Sequence, residues 1–418
     1  MSFTIRAVDT KKEAERLGDG QVRAFRLGDP KLIAAYYRLA DFIVAGDTLV
    51  AEENGVLAAQ ATSARLTMRI AGADVPCGGI TLVGTAPEHR RKGAVGRLMR
   101  ALLVKMRKEK ARAPVSALYP FYAPFYAKFG YARVDWPESF TVPPSQFRPS
   151  DLRRHVRRLD PEKDLPAMAA CYERWRAERT GPLARGDYWW RARILGKIED
   201  GVVYAPPSRG AAKGQIEGYL LYATSGGPNE IGSELTVKEH IASTVDGRRA
   251  LFGFLSTLGD QFEHIHVVFP RGEGPAMLTG TGPVTDARCV RHQVMGSVLA
   301  GAMLRIVDLR AALAVHPGPG KSGVQGALGI ELTDPVFADQ TASWDLAIGA
   351  RGASAVRGKK AKARLAMTIG DLSQVYLGAT RARTLLAAGA IAGDDDAAGL
   401  LDAAFAGPVP FWSELNGF

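Results

Sequence analysis

Cysteine is scarce in this chain: Cys77, Cys171 and Cys289 are the three among 418 residues, far apart and with no Cys-x-x-Cys spacing. An odd, scattered set offers neither a disulfide framework nor a structural zinc site, so no metal is expected. No apolar run reaches the roughly 20 residues that span a bilayer. The opening MSFTIRAVDTKKEAERL reads as a strand and a polar helix, not as a secretory signal. Low-complexity tracts are missing too. These absences argue against a stapled secreted domain and a membrane protein, and the expected setting is cytoplasmic and reducing.

An acidic surplus is also lacking. Lys plus Arg number 54 against 43 Asp plus Glu, a net charge of +11, which favours anionic partners. The densest patches, residues 153–158 and 359–364, have neither the interleaved aromatics of a single-strand platform nor a helix-turn-helix or RNP pattern. They read as solvated surface or as a lining for phosphates, and no nucleic-acid partner is expected.

What is present centres on residues 78–106, GGITLVGTAPEHRRKGAVGRLMRALLVKM. Residues 80–83 are strand-like, Ala86-Pro87 stop the strand, and His89-Arg90-Arg91-Lys92-Gly93 form a basic turn. Val95, Leu98, Met99, Leu102 and Met106 then recur at three- and four-residue steps, predicting an amphipathic helix. A helix start leaves amides unpaired and carries partial positive charge, so with nearby cations and Gly93 it can cradle a pyrophosphate. An ordinary strand–turn–helix with solvated arginines is the alternative. The turn lacks the Gly-Lys-Ser/Thr of a Walker loop. A formal Gly-x-Gly-x-x-Gly at residues 318–323 follows a helix-like run and reads as a flexible loop.

Length implies two or three domains. Residues 1–145 alternate strands and helices, with a hairpin at Asn54-Gly55 and a mixed, helix-flanked sheet as the natural architecture. Pro143-Pro144 and Pro149 mark a linker. Residues 151–290 echo the first order of elements but carry no basic Gly turn. Residues 292–418 form an α+β segment, with MLRIVDLRAALAV read as its first helix.

APEHRRKG after an apolar strand resembles the acetyl-CoA motif of the GNAT superfamily, Arg/Gln-x-x-Gly-x-Gly/Ala. Residues 90–93 match its front half; Val95 departs from its last position, with Gly96 following. With FYAKFGYARV, MLRIVDLRAALA, LSQVYLGAT…LLAAGAI and a terminal aromatic, the whole chain resembles the enhanced-intracellular-survival family of bacterial N-acetyltransferases. The resemblance implies an α/β (α+β) protein with tandem GNAT folds and a sterol-carrier-like C-terminal domain. Only the first GNAT domain would use acetyl-CoA, and the assembly would be a homohexamer.

Direct acetyl transfer needs an amine to lose a proton, a polarised thioester carbonyl and a protonated leaving thiol. It needs no Cys/His nucleophile pair, and Cys289 with His292 reads as incidental. By chemistry alone Tyr126 is either an acid or one more packing aromatic; the family pattern Tyr-x-x-Phe-Gly-Tyr selects it as the acid. No internal carboxylate is well marked as a base, since Glu52, Glu53 and Glu88 suit a solvated face. The resemblance implies the α-carboxylate of Phe418 instead, where Asn416-Gly417 supply no adjacent acid and Glu414 could compensate in part. Backbone of Leu82, Val83 and Thr85 would meet acetyl-CoA, with Arg90, Arg91, Gly93 and Ala94 at its phosphates. The family's acceptors are polyamine-like aminoglycosides; a protein lysine, or a non-catalytic protein binding CoA or an apolar ligand, are the alternatives.

Overall fold

Asn54 and Gly55 show how a local signal becomes structure. Their φ values of 53° and 78° are both left-handed, the backbone a two-residue hairpin turn needs to follow the strand twist. The structure is a computed structural model and describes residues 3–26, 28–108, 113–196, 198, 200–207, 214–225, 233–279 and 294–418. Cys289 and His292 lie outside these, as does the stretch around residue 290.

The strands in chain order are β1 (Thr4–Val8), β2 (Thr48–Glu53), β3 (Val56–Ile70), β4 (Ala73–Thr85), β5 (Val115–Leu118), β6 (Ala132–Arg133), β7 (Glu138–Val142), β8 (Val156–Arg158), β9 (Asp200–Tyr204) and β10 (Gly218–Ser225). They continue with β11 (Ser233–Ala242), β12 (Phe262–Phe269), β13 (Gly296–Val298), β14 (Met303–Ile306), β15 (Gly326–Thr333), β16 (Ala342–Gly349), β17 (Gly352–Arg357), β18 (Arg364–Thr368) and β19 (Ala392–Gly393). The helices that matter most are α1 (Ala14–Phe25), α2 (Pro30–Leu39), α3 (Ala94–Lys108), α4 (Ala123–Ala127), α5 (Pro161–Arg176) and α6 (Val245–Leu255). Among the described residues no helix is long and apolar enough to cross a membrane.

Two compact units result, and neither follows a single continuous stretch. One comprises residues 1–134, 302–408 and Phe418; the other comprises residues 135–301 and 409–417. The first unit holds a sheet ordered β1-β2-β3-β4-β5-β14-β6 and a second ordered β17-β16-β15-β18-β19. Only β4 and β5 pair in parallel in the first of these, joined by α3. The face of α3 predicted to be apolar is the buried one: Leu98, Met99, Leu102 and Met106 pack with Ile80, Leu118, Phe129 and Met303. Burying one such side chain contributes roughly 1.5–3 kcal/mol.

The other unit repeats the plan. Its sheet runs β13-β7-β12-β11-β10-β9-β8, with β11 and β12 parallel and joined by α6. Chain order and sheet order diverge where the chain passes between the sheets. β7 continues from β6 but pairs with β12, whereas β14 follows β13 and inserts between β5 and β6. Residues 303–306 are therefore strand, not the helix read from the sequence, and helix begins only at Leu309. A four-residue run with three apolar side chains fits either form, and the pairing edges of Val115–Leu118 and Ala132–Arg133 decide it. Residues 318–321 also differ from the loop expected, forming a short helical turn.

His316 sits against the rings of Tyr376 and Phe405, at centroid distances of 4.6 and 5.0 Å, and accepts the Gly318 N–H at Nδ1. Burial pushes it down from 6.5 to about 4. Between those values the unfolded chain binds a proton here that the folded chain does not. Stability is complete above pH 6.5 and falls towards pH 4, by up to about 3 kcal/mol. Denaturant titrations across that window should show this slope, and His316→Gln should flatten it.

Candidate active site

β4 and β5 stay paired only over Cys77–Gly79 and Val115–Ala117. Beyond them β4 carries a bulge, with Leu82 and Val83 together opposite Ala61, between the pairs Gln60↔Gly84 and Thr62↔Thr81. Leu82 takes a left-handed φ of 50°, a conformation worth roughly 1–2 kcal/mol of strain for a residue with a Cβ. The bulge turns β4 outward. Among the described residues, 80–85 have β3 on one side and no strand on the other, so their backbone faces an open wedge.

The basic turn follows directly. Arg91 (φ 62°) and Gly93 (φ 83°) curl the chain, and the space where a Gly93 Cβ would lie is empty to 4 Å. Such alternation turns successive amides inward as an anion-binding concavity. Gly93 accepts the Arg97 N–H as α3 begins, but has no side chain to cap the amides after it. Ala94 is buried at this start. The cations divide their work. Arg90 donates to the Ala24 carbonyl at 2.5 Å and ties the turn to α1, Lys92 lies 3.5 Å from Glu53, and Arg91 is exposed.

A cavity of about 410 Å³ occupies the wedge, lined by Thr81, Leu82 and Val83 of β4 together with Tyr126, Phe418 and residues of α1. Of the nearby tyrosines, Tyr131 is buried and its hydroxyl lies 2.7 Å from Ser116 Oγ. The Tyr126 hydroxyl has no hydrogen-bond partner among the described residues, and burial raises its pKa above the ordinary 10. Its loop is pinned from below: Phe129 donates to the Tyr126 carbonyl at 2.9 Å, and Arg305 donates to the Phe129 carbonyl. Arg305 is itself buried against Asp334 at 2.7 Å.

Phe418 packs its ring 5.9 Å from that of Tyr119, edge to face, and lies over Gly79. A Cβ on Gly79 would strike Leu66 and come within 2.8 Å of the Phe418 ring. The internal carboxylates are elsewhere engaged. Glu52 binds Arg6 and Arg16, Glu53 lies 2.9 Å from His89, and Glu88 pairs with Arg23; none lines the cavity.

The preceding tail is held within the second unit. Ser413 donates to Glu239, Trp189 donates to the Leu415 carbonyl at 2.9 Å, and Asn416 Oδ1 accepts from Arg185 at 3.0 Å and Tyr172 at 3.2 Å. Arg185 and Glu239 are 0% and 1% exposed. Burial works against the Glu239 carboxylate, but the Arg185 charge and hydrogen bonds from Arg185, Ser413 and Tyr219 hold it below the usual range. Of the residues named from the sequence, Leu82, Val83, Tyr126 and Phe418 line the cavity. Sequence reasoning missed Gln21, Phe25 and Phe121 of the cavity and the Arg185 cluster, whose members are far apart in the chain.

Comparison with known proteins agrees with this layout. Acetyltransferase (GNAT) domain models match residues 5–134 and 181–306, and a sterol carrier protein domain model matches residues 309–413. The N-acetyltransferase Eis of Mycobacterium tuberculosis is 29% identical over 80% of this chain and 79% of its own. An uncharacterised N-acetyltransferase of Streptomyces coelicolor is 28% identical over 77% and 76%. The crystal structure of Eis1 from Mycobacterium abscessus shares the fold, with a TM-score of 0.77 at 23% identity and 98% coverage of both chains.

Gly79→Val should displace the Phe418 ring while leaving the sheet intact. Carboxypeptidase should then release the terminal residue about tenfold faster than from the unaltered chain. An unchanged release rate with an unchanged circular dichroism spectrum would contradict the packing of Phe418 on Gly79.

Proposed function

This chain belongs to the enhanced-intracellular-survival (Eis) family of GNAT N-acetyltransferases, and we propose that it moves acetyl from acetyl-CoA directly to a primary amine, with Tyr126 as general acid and the Phe418 α-carboxylate as general base. GNAT acetyltransferases use acetyl-CoA, and the residues present fit it. The unpaired edge at Leu82, Val83 and Thr85 would meet the pantetheine arm, and the uncapped amides at Gly93 and Ala94, with Arg91 beside them, would take the pyrophosphate. Arg90 contributes by fixing the turn on α1 as well as by charge.

Bound there, acetyl-CoA supplies an activated thioester. The Phe418 carboxylate, ionised at neutral pH as α-carboxylates are, attracts the ammonium and accepts its proton directly or through water. Backbone groups of the bulged β4 edge polarise the carbonyl, the N–C bond forms as the C–S bond breaks, Tyr126 gives its proton to sulfur, and the second proton shed by nitrogen restores the phenol through water. The observation that carries the assignment is one cavity lined by a buried, unpartnered Tyr126 and by Phe418, with Glu52, Glu53 and Glu88 engaged elsewhere. A phenol raised by burial stays protonated throughout the neutral range, as an acid must.

We assign no cofactor to the second unit. At its matching strand-to-helix junction Thr244 caps the Gly247 amide at 2.9 Å and donates to Glu217 at 2.8 Å. The Gly247 amide is satisfied, and the Glu217 carboxylate beside the cap disfavours a phosphate there. The transfer reading requires only a primary amine as acceptor; the resemblance alone points to the aminoglycoside class.

Tyr126→Phe should lower kcat by about 100-fold while changing the affinity for acetyl-CoA less than about threefold. Stopped-flow thiol release with separate binding titration distinguishes the two quantities, and an unchanged kcat removes Tyr126 as the acid. Extending the chain by two residues beyond Phe418 moves the carboxylate out of the cavity and should reduce turnover by at least about 100-fold.

A further inference from the structure

We propose that the acceptor is a primary amine with one positive charge on an apolar, preferably aromatic, body. This rests on the acetyl-transfer reading above and narrows its substrate class. The cavity lining carries the argument: among the described residues it includes no Asp, Glu, Lys or Arg side chain. On the acetyl-transfer reading, its formal charge is the terminus of Phe418. One carboxylate answers one ammonium, and each further ammonium of a polyamine would enter an apolar wall with no counter-charge. The net charge of +11 adds a long-range penalty for polycations.

The walls suit the rest of such a ligand. Phe25 and Phe121 meet edge to face at 6.1 Å, and Phe121 is 87% exposed, an unusual position for a large aromatic unless a ligand covers it. Ile33, Ile80 and Tyr119 extend the apolar surface. Aromatic faces also attract an ammonium, and they do so without adding charge. Gln21 adds a polar contact to those of Thr81 and the tyrosines. It is 4% exposed, lines the cavity, and its Oε1 has no hydrogen-bond partner. A buried acceptor without a donor is costly, and an N–H of the bound ammonium would satisfy it.

The test uses the full chain with acetyl-CoA and follows thiol release with 2-phenylethylamine, ethylamine, spermidine and kanamycin. The kcat/KM for 2-phenylethylamine should exceed those for spermidine and kanamycin by about tenfold or more. Phe121→Ala should lower it about fivefold or more, with a smaller loss for ethylamine. Gln21→Glu, which adds a second carboxylate of the same shape, should shift the spermidine-to-phenylethylamine ratio about fivefold towards spermidine. A preference for spermidine or kanamycin in the unaltered protein overturns the proposal and leaves acetyl transfer standing. Absence of turnover with every amine, while acetyl-CoA still binds, overturns the transfer reading and this proposal with it.

Discussion

Three residue pairs, Cys77–Gly79 with Val115–Ala117, hold the two central strands of the first unit together, and everything at the site depends on where that pairing ends. Parallel strands joined by a helix would ordinarily run on side by side. Here the extra residue at Leu82–Val83 bends β4 away, and a left-handed leucine fixes the bend. Strain of that kind persists only where surrounding packing over-determines it. Ile80 in the core on one side and the Gln60↔Gly84 pair on the other supply that constraint. The wedge, the unpaired edge and the helix start at Gly93 all follow from the single departure.

A buried arginine braces a loop in each unit. In the first, Arg305 and Asp334 anchor the loop that carries Tyr126; in the second, Arg185 with Glu239 anchors Ser413 and Asn416. Buried pairs contribute little net stability, but leaving one member unpaired costs about 3–5 kcal/mol. Their effect is to fix geometry: a guanidinium with all three nitrogens engaged restricts the arrangement of the groups around it. Neither arginine lies in the basic turn that dominates the sequence.

The parts legible in the sequence are those fixed by neighbours in the chain. The three- and four-residue spacing from Val95 to Met106 gave α3 its buried face, and Asn54-Gly55 gave the hairpin its turn. Residues 303–306 were misread because the strand edges that capture them lie some 170 to 190 residues earlier, as the pairs Met303↔Leu118 and Met303↔Arg133 make plain. Gln21 was invisible for a similar reason. On α1 it is an ordinary polar residue, and only the approach of Gly84, which leaves no room for a Cβ beside its amide oxygen, makes it a buried wall of the cavity.

A terminal carboxylate makes a sound base for such a cavity because it needs no side chain to reach in. An internal Glu would bring rotatable bonds and a second neighbour on the chain. Phe418 brings a ring that fills the space above Gly79. Ser413, Leu415 and Asn416 before it are hydrogen-bonded within the second unit. On the proposed reading the negative charge of the cavity is concentrated in one group. In the proposed reaction the same carboxylate must therefore both attract the ammonium and take its proton, and the chemistry of the acceptor is constrained by that single charge.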